Sequence, residues 1–110
     1  MKIVDVESHV VGNPWKAWYI ALVHTDEGVT GIGEGEGWLW ADALRAFAEQ
    51  NKELLFIGRD PFRLEEIRRH CRLEFYERWG YGHTSLGVLA AVEAACLDIV
   101  GKTLGVPCST

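Results

Sequence analysis

Two carboxylates, Glu34 and Glu36, lie in a glycine-rich stretch that runs from Gly31 to Gly37. Side chains at positions i and i+2 of a strand point the same way, so this pair could serve acid–base or metal chemistry. No third ligand or histidine follows at a useful spacing, and the stretch lacks the spacing of a phosphate-binding loop. We therefore interpret the carboxylates as a salt-bridge face and the glycines as positions where another backbone packs closely.

Histidine and cysteine offer little further chemistry in this sequence. The four histidines have neither an H-x-H nor an H-E-x-x-H arrangement, and the three cysteines contain no C-x-x-C pair. His83 differs from the other histidines because it lies in a short loop before an apolar helix, where contacts to a ligand are often placed. No catalytic residue, metal ligand or disulfide is predicted.

Tryptophan is unusually frequent, with five residues in a chain of 110. Trp15 and Trp18 lie in or beside the connection between the first two predicted strands, and Trp38 and Trp40 follow the third. An antiparallel meander places these two connections at the same end, so the indoles, with Lys16, predict a contact surface for a ligand or another domain. The alternative is that the indoles only close the end of a small core.

The first third of the chain has the alternation of half-buried strands. In the first strand, Val4, Val6, Ser8 and Val10 are expected to share one face. A second strand from Trp18 to His24 and a third from Val29 to Glu34 flank the turn residues Asp26-Glu27-Gly28, which is typical of a hairpin.

After Trp40 the apolar period becomes helical. The first predicted helix ends at Gly58, and the second starts at Asp60-Pro61. The third is capped by Thr84 or Ser85 and closed by Gly101 and Gly105-Val106-Pro107. The predicted fold is α+β, a three-stranded antiparallel meander followed by a three-helix bundle, and residues 1–110 form one domain.

Composition and charge exclude several classes of function. The net charge of −5 argues against nucleic-acid binding, and the basic cluster Arg68–Arg72 is interleaved with glutamates, as on a solvated helix face. No apolar run approaches the roughly 20 residues that span a bilayer, so no membrane association is predicted. The acidic amino terminus is unlike a signal peptide, and together with the unpatterned cysteines it indicates a cytoplasmic protein.

Four stretches resemble one known family: Lys2–Glu7, His24–Glu34, Ile57–Pro61 and Ala91–Pro107. The last contains an acidic residue before Ala-Cys-Leu-Asp-Ile-Val-Gly-Lys and then Leu-Gly-Val-Pro. This is similar to the signature of the mandelate racemase/muconate lactonizing enzyme branch of the enolase superfamily. Within that branch the chain most resembles galactonate-dehydratase-type acid-sugar dehydratases.

The resemblance implies an amino-terminal capping domain whose loops, at positions 12–17 and 35–40, close over a (β/α)8 barrel. In such enzymes a base on the barrel removes a proton next to a carboxylate, and Mg²⁺ stabilises the enediolate. The barrel positions are absent here, so the Mg²⁺ of the full-length parent enzyme is not expected to bind this chain. Cys96 and Val88 depart mildly from the pattern. The end at Thr110, where the family continues into the barrel, indicates a domain truncated before the barrel and inactive alone.

The resemblance therefore implies a specificity-determining cap of an acid-sugar dehydratase. Its partners would be the missing carboxyl-terminal barrel, a sugar-acid or other carboxylate substrate, and further copies in a homo-oligomer. The expected substrate contacts are Trp15, Lys16, Trp18, Trp38 and His83. One alternative is the cap of a racemase or cycloisomerase of the same superfamily. The other is a stand-alone binding or oligomerisation module without chemistry.

Overall fold

The computed structural model describes residues 1–12, 17–36, 41–76 and 83–105, and within them three strands precede three helices. The elements are β1 (Ile3–Gly12), β2 (Ala17–Thr25), β3 (Thr30–Glu36), α1 (Ala41–Leu55), α2 (Leu64–Glu74) and α3 (His83–Leu104). The strands form one antiparallel sheet in the order β1-β2-β3. The predicted α+β meander with three helices is confirmed, and the described ranges contain no (β/α)8 barrel.

A β-bulge near the start of β1 changes which residues face the core. The register shifts between Ile3, which pairs with Thr25, and Asp5, which pairs with His24. As a result Ile3 is buried, whereas Val4 is 51% exposed. The prediction that Val4 shares a face with Val6 is therefore wrong, because a bulge inserts one extra residue and reverses the alternation on one side of it.

The β2–β3 hairpin has the expected turn. Gly28 has a φ of +79°, a left-handed conformation that glycine adopts without steric cost. The amide of Gly28 donates to the carbonyl of Thr25 at 3.2 Å, and the amide of Thr25 donates to the carbonyl of Val29 at 3.2 Å. The predicted hairpin is confirmed.

Alternate glycines on β3 let α3 approach the sheet at backbone distance. A Cβ on Gly33 would lie 2.8 Å from the carbonyl carbon of Ala91 and would overlap the Ala91 oxygen. A Cβ on Gly31 would overlap the Ala95 oxygen, and one on Gly35 would lie 3.0 Å from the oxygen of Gly87. The predicted close backbone contact is confirmed, and its partner is α3.

The open edge of β3 is satisfied by two side chains of α3. A carboxylate oxygen of Asp98 accepts the amide of Ile32 at 3.0 Å, and the Lys102 ammonium donates to the carbonyl of Thr30 at 2.7 Å. Asp98 and Lys102 also form an ion pair at 3.0 Å. An edge strand presents unpaired backbone groups, so this pair on one helix face supplies partners for two such groups of β3.

Two predicted helix starts are wrong, and one of the two predicted closing signals of α3 is confirmed. Asp60 does not cap α2, because its carboxylate accepts the amide of Phe62 at 2.9 Å and forms a separate turn, so the helix starts at Leu64. Of the two predicted closing signals of α3, Gly101 lies inside the helix, which continues to Leu104, whereas Gly105 follows the end of the helix at a φ of +71° and is confirmed. Thr84 and Ser85 lie inside the first turn of α3, after His83.

One hydrophobic core lies between the inner face of the sheet and the helices. Residues of both the sheet and the helical half of the chain contribute to this core. Its fully buried members include Val6, Tyr19, Val23, Phe75, Val92 and Ile99. From Thr84 to Leu104, α3 is long and apolar enough to cross a membrane by length and composition alone, with a mean hydropathy of 1.6, but half of that window is buried in the protein. The prediction that no apolar run approaches the length of a membrane span is therefore wrong for α3. Its central position in the core accounts for its apolar composition.

Candidate functional site

The ends of four secondary-structure elements lie at one end of the domain, which we name the loop end. It comprises Gly12, Ala17, Glu36 and His83. Gly12 pairs with Ala17, and Trp18 pairs with both Val11 and Glu36, so β1 ends, β2 begins and β3 ends at the same end of the sheet. Because Gly35 faces Gly87, the start of α3 lies at this end as well. The predicted convergence of the two connections is confirmed at the strand ends that carry them.

Trp18 is the one predicted contact whose side chain the structure describes. It is partly buried and lies on the outer face of the sheet, because its neighbour Tyr19 is fully buried on the inner face. The hydroxyl groups of Tyr19 and Ser8 are hydrogen-bonded at 2.9 Å, which fixes the inner face next to the loop end. Trp18 therefore lies on the side of the sheet opposite to α3.

The other predicted contacts are described less fully. Trp15, Lys16 and Trp38 lie outside the described residues, so their role stays a prediction. The backbone of His83 begins α3 on the inner side of the sheet. His83 and Trp18 thus share the loop end but lie on opposite faces of the sheet, a separation that the sequence did not indicate.

The outer face of the sheet carries carboxylate–histidine hydrogen bonds that the sequence did not indicate. The carboxylate of Glu7 contacts Nε2 of His9 at 2.5 Å and Nε2 of His24 at 3.1 Å, and these two hydrogen bonds lower its pKa. Glu34 is exposed on the same face and forms no ion pair with any residue of the described ranges. The salt-bridge interpretation is therefore wrong for Glu34.

The described residues contain no group of three or more histidine, cysteine, aspartate or glutamate side chains that could hold a metal ion. Mg²⁺ favours carboxylate oxygens, and this part of the chain does not assemble them, so no catalytic step is derived from a metal here. Burial raises the pKa of both the Cys71 and the Cys96 thiols to about 12. Such thiols are inert as nucleophiles near neutral pH.

A second polar feature lies at the opposite end of the domain. A shallow groove of about 340 Å³ is lined by Arg59, Glu66, Arg69, His70 and Leu73. The alternation of basic residues and glutamates in this region had predicted only a solvated helix face. Their spacing along α2 could have indicated a shared surface, but the contribution of Arg59 depends on the tertiary fold.

Comparison with known proteins agrees with this architecture. Residues 10–110 match the family model described as "Mandelate racemase / muconate lactonizing enzyme, N-terminal domain". A D-galactonate dehydratase family member of Pseudarthrobacter chlorophenolicus is 32% identical over 107 residues, which cover 97% of this chain and 25% of the relative. A D-galactonate dehydratase of Ralstonia pickettii is 36% identical over 91 residues, 82% of this chain and 23% of the relative.

Solved structures give the same result. An isomerase from Streptomyces coelicolor A3(2) superposes with a TM-score of 0.74 at 32% identity, covering 94% of this chain and 28% of that chain. A candidate L-alanine-DL-glutamate epimerase from Burkholderia xenovorans strain LB400, bound to magnesium and fumarate, gives a TM-score of 0.81 at 26% identity over 97% of this chain and 26% of that chain. This chain spans about a quarter of the length of the curated relatives it matches. The resemblance noted in the sequence is confirmed: the chain belongs to the mandelate racemase/muconate lactonizing enzyme N-terminal domain family of the enolase superfamily.

Proposed function

We propose that this chain is the substrate-capping, specificity-determining domain of a magnesium-dependent acid-sugar dehydratase. The observation that carries the proposal is the loop end, where the end of β1, the start of β2, the end of β3 and the start of α3 lie together. Loops held at one end of a stable scaffold are the common place for ligand contacts. Relatives named as dehydratases support the reaction type.

The chemistry of the loop end suits a substrate that carries a carboxylate. Lys16 would offer a positive charge to the anion, and the indoles of Trp15, Trp18 and Trp38 would exclude water around it. Exclusion of water strengthens each electrostatic contact inside a closed site. His83, at the start of α3, would contact the substrate from the other side of the sheet.

The proposal assigns the chemical step to a barrel domain outside this chain. Mg²⁺ would be bound there, as the magnesium in the Burkholderia xenovorans structure suggests, since the described residues of this chain provide no site for it. The chain alone would then be inactive. We propose the barrel and further copies of the same enzyme as its partners, and the cytoplasm as its compartment.

A second candidate function is the cap of an isomerase. It is favoured by one observation, the 32% identity with the isomerase from Streptomyces coelicolor. The fold of the cap would be the same in both cases. The two functions differ in the product: a dehydratase releases water and forms a keto acid, whereas an isomerase conserves the composition of its substrate.

Replacement of Trp18 by alanine tests the capping role. In an enzyme that joins this chain to the barrel of the Ralstonia pickettii relative, Trp18→Ala is expected to raise KM for the sugar acid about tenfold and to change kcat less. Loss of a buried aromatic contact at the substrate is worth about 1 kcal/mol. Steady-state kinetics of both enzymes measure the effect.

Ile32→Ala is the matched control for this substitution. Ile32 lies on the same outer face, four residue pairs further from the loop end, and is 53% exposed. It should leave both kinetic constants unchanged, and the melting temperatures of the two variants show whether either is destabilised. A folded Trp18→Ala enzyme with unchanged KM would contradict the assignment of Trp18 to the substrate site.

A further inference from the structure

We propose that the groove between α2 and the segment before it binds a small oxyanion through Arg59 and Arg69. The groove is lined by Arg59, Glu66, Arg69, His70 and Leu73 and has a volume of about 340 Å³. This volume lies at the lower end of the range of small-molecule sites. The ligand class is a compound with a carboxylate or phosphate group.

The fold holds the groove residues in fixed positions. Glu66, Arg69, His70 and Leu73 are spaced i, i+3, i+4 and i+7 along α2, so they form one stripe on the helix surface. Arg59 is tied to the sheet, because its carbonyl accepts the amide of Ile3 at 2.7 Å. The ring of His70 is anchored by a hydrogen bond from Nε2 to the carbonyl of Leu54 at 2.9 Å.

The charge balance in the groove favours an anion. Arg45, Arg63 and Arg68 each pair with a carboxylate, at distances between 2.7 and 3.2 Å. Arg59 and Arg69, by contrast, form no ion pair with any residue in the described ranges, although the chain has a net charge of −5. The lining has two arginines and one carboxylate, Glu66, which also accepts a hydrogen bond from Arg63 at 3.2 Å.

Two arginines without carboxylate partners offer the geometry that oxyanions need. A guanidinium group presents paired N–H donors that match the oxygens of a carboxylate or phosphate. The groove is separate from the loop end: Arg59 contacts Ile3 at the start of β1, and the loop end lies at the other end of this strand, about 30 Å away at the usual rise per residue. The site is therefore independent of the proposed substrate-capping role.

An NMR titration of the ¹⁵N-labelled chain tests the site. Inorganic phosphate and succinate are added separately against potassium chloride at matched ionic strength. A saturable shift of the backbone amides of Arg59, Glu66, Arg69, His70 and Leu73, with a Kd of about 1 mM for at least one of the two anions, is expected. The anion with the lower Kd shows whether the groove prefers a phosphate or a carboxylate group.

Variants establish which arginines bind the anion. Arg69→Gln and Arg59→Gln should each weaken binding at least tenfold. Arg45→Gln is the matched control, since Arg45 is already paired with Asp42 and Glu49 on α1, and it should bind as the parent does. The amide spectrum of each variant reports whether it is folded. Linear shifts for both anions, shifts spread over all basic residues, or equal binding by folded Arg69→Gln and Arg45→Gln would each overturn the proposal.

Discussion

Gly33→Ala is expected to lower the free energy of unfolding by about 3 kcal/mol or more, enough to unfold a marginally stable domain. The added methyl group would overlap the carbonyl oxygen of Ala91 and lie 2.8 Å from the amide nitrogen of Ala95. Both obstacles are backbone atoms of the buried helix α3, so no side-chain rotation can relieve the overlap. The strand and the helix would have to separate. Urea unfolding followed by far-UV circular dichroism measures the loss.

The neighbouring glycine provides a graded control. A Cβ on Gly35 would lie 3.0 Å from the oxygen of Gly87 and 3.5 Å from the Cβ of Ala91, so Gly35→Ala should cost only about 1 kcal/mol. Ile32→Ala, on the exposed face next to Gly33, reports the cost of changing the outer face of β3. If Gly33→Ala were as stable as Gly35→Ala, the close packing of β3 on α3 would be refuted.

Asp98→Ala is expected to cost about 2 kcal/mol of stability, because it removes a charged acceptor from the amide of Ile32. The edge of β3 would then lose a backbone partner and the ion pair with Lys102. Lys102→Ala is the control, since the Lys102 side chain is 53% exposed and should cost less than about 1 kcal/mol. Equal stability of Asp98→Ala and the parent in chemical unfolding would show that this contact does not hold the strand edge.

The same contact should make stability depend on pH. The hydrogen bond from the Ile32 amide, assisted by Lys102, lowers the pKa of Asp98 below its ordinary value of 3.8. The stability contributed by this carboxylate is therefore fully present above that ordinary value and is lost as the pH falls through the lower, folded-state pKa. The stability difference between the parent and Asp98→Asn should shrink as the pH is lowered through this acidic range. A difference that stays constant there would contradict the assignment.

Patterns with a purely local cause were predicted well from the sequence. The alternate glycines of β3 predicted a close backbone neighbour, because a strand face without side chains lets another backbone pack directly against it. The turn at Gly28 followed from its place between two apolar runs. The convergence at the loop end followed from the meander, since its connections must alternate between the two ends of the sheet.

Features that depend on distant partners were not predictable. The bulge at Val4 depends on how β1 aligns with β2, and the start of α2 depends on the turn that Asp60 forms with Phe62. The roles of Asp98 and Lys102 at the edge of β3 require knowledge of which strand α3 covers. The groove around Arg59 and Arg69 likewise exists only after residues from different elements have packed together.

The most direct test of the capping role is an exchange of caps. This chain is joined to the barrel of the Ralstonia pickettii D-galactonate dehydratase, and kcat/KM is measured for a panel of sugar acids with the parent enzyme and with the exchanged enzyme. We predict that the exchanged enzyme remains a magnesium-dependent dehydratase but prefers the sugar acids in a different order. The reason is that the cap determines substrate specificity, whereas the barrel carries out the dehydration. An active exchanged enzyme with the same order of preference as the parent, or dehydration by this chain without any barrel, would contradict the account.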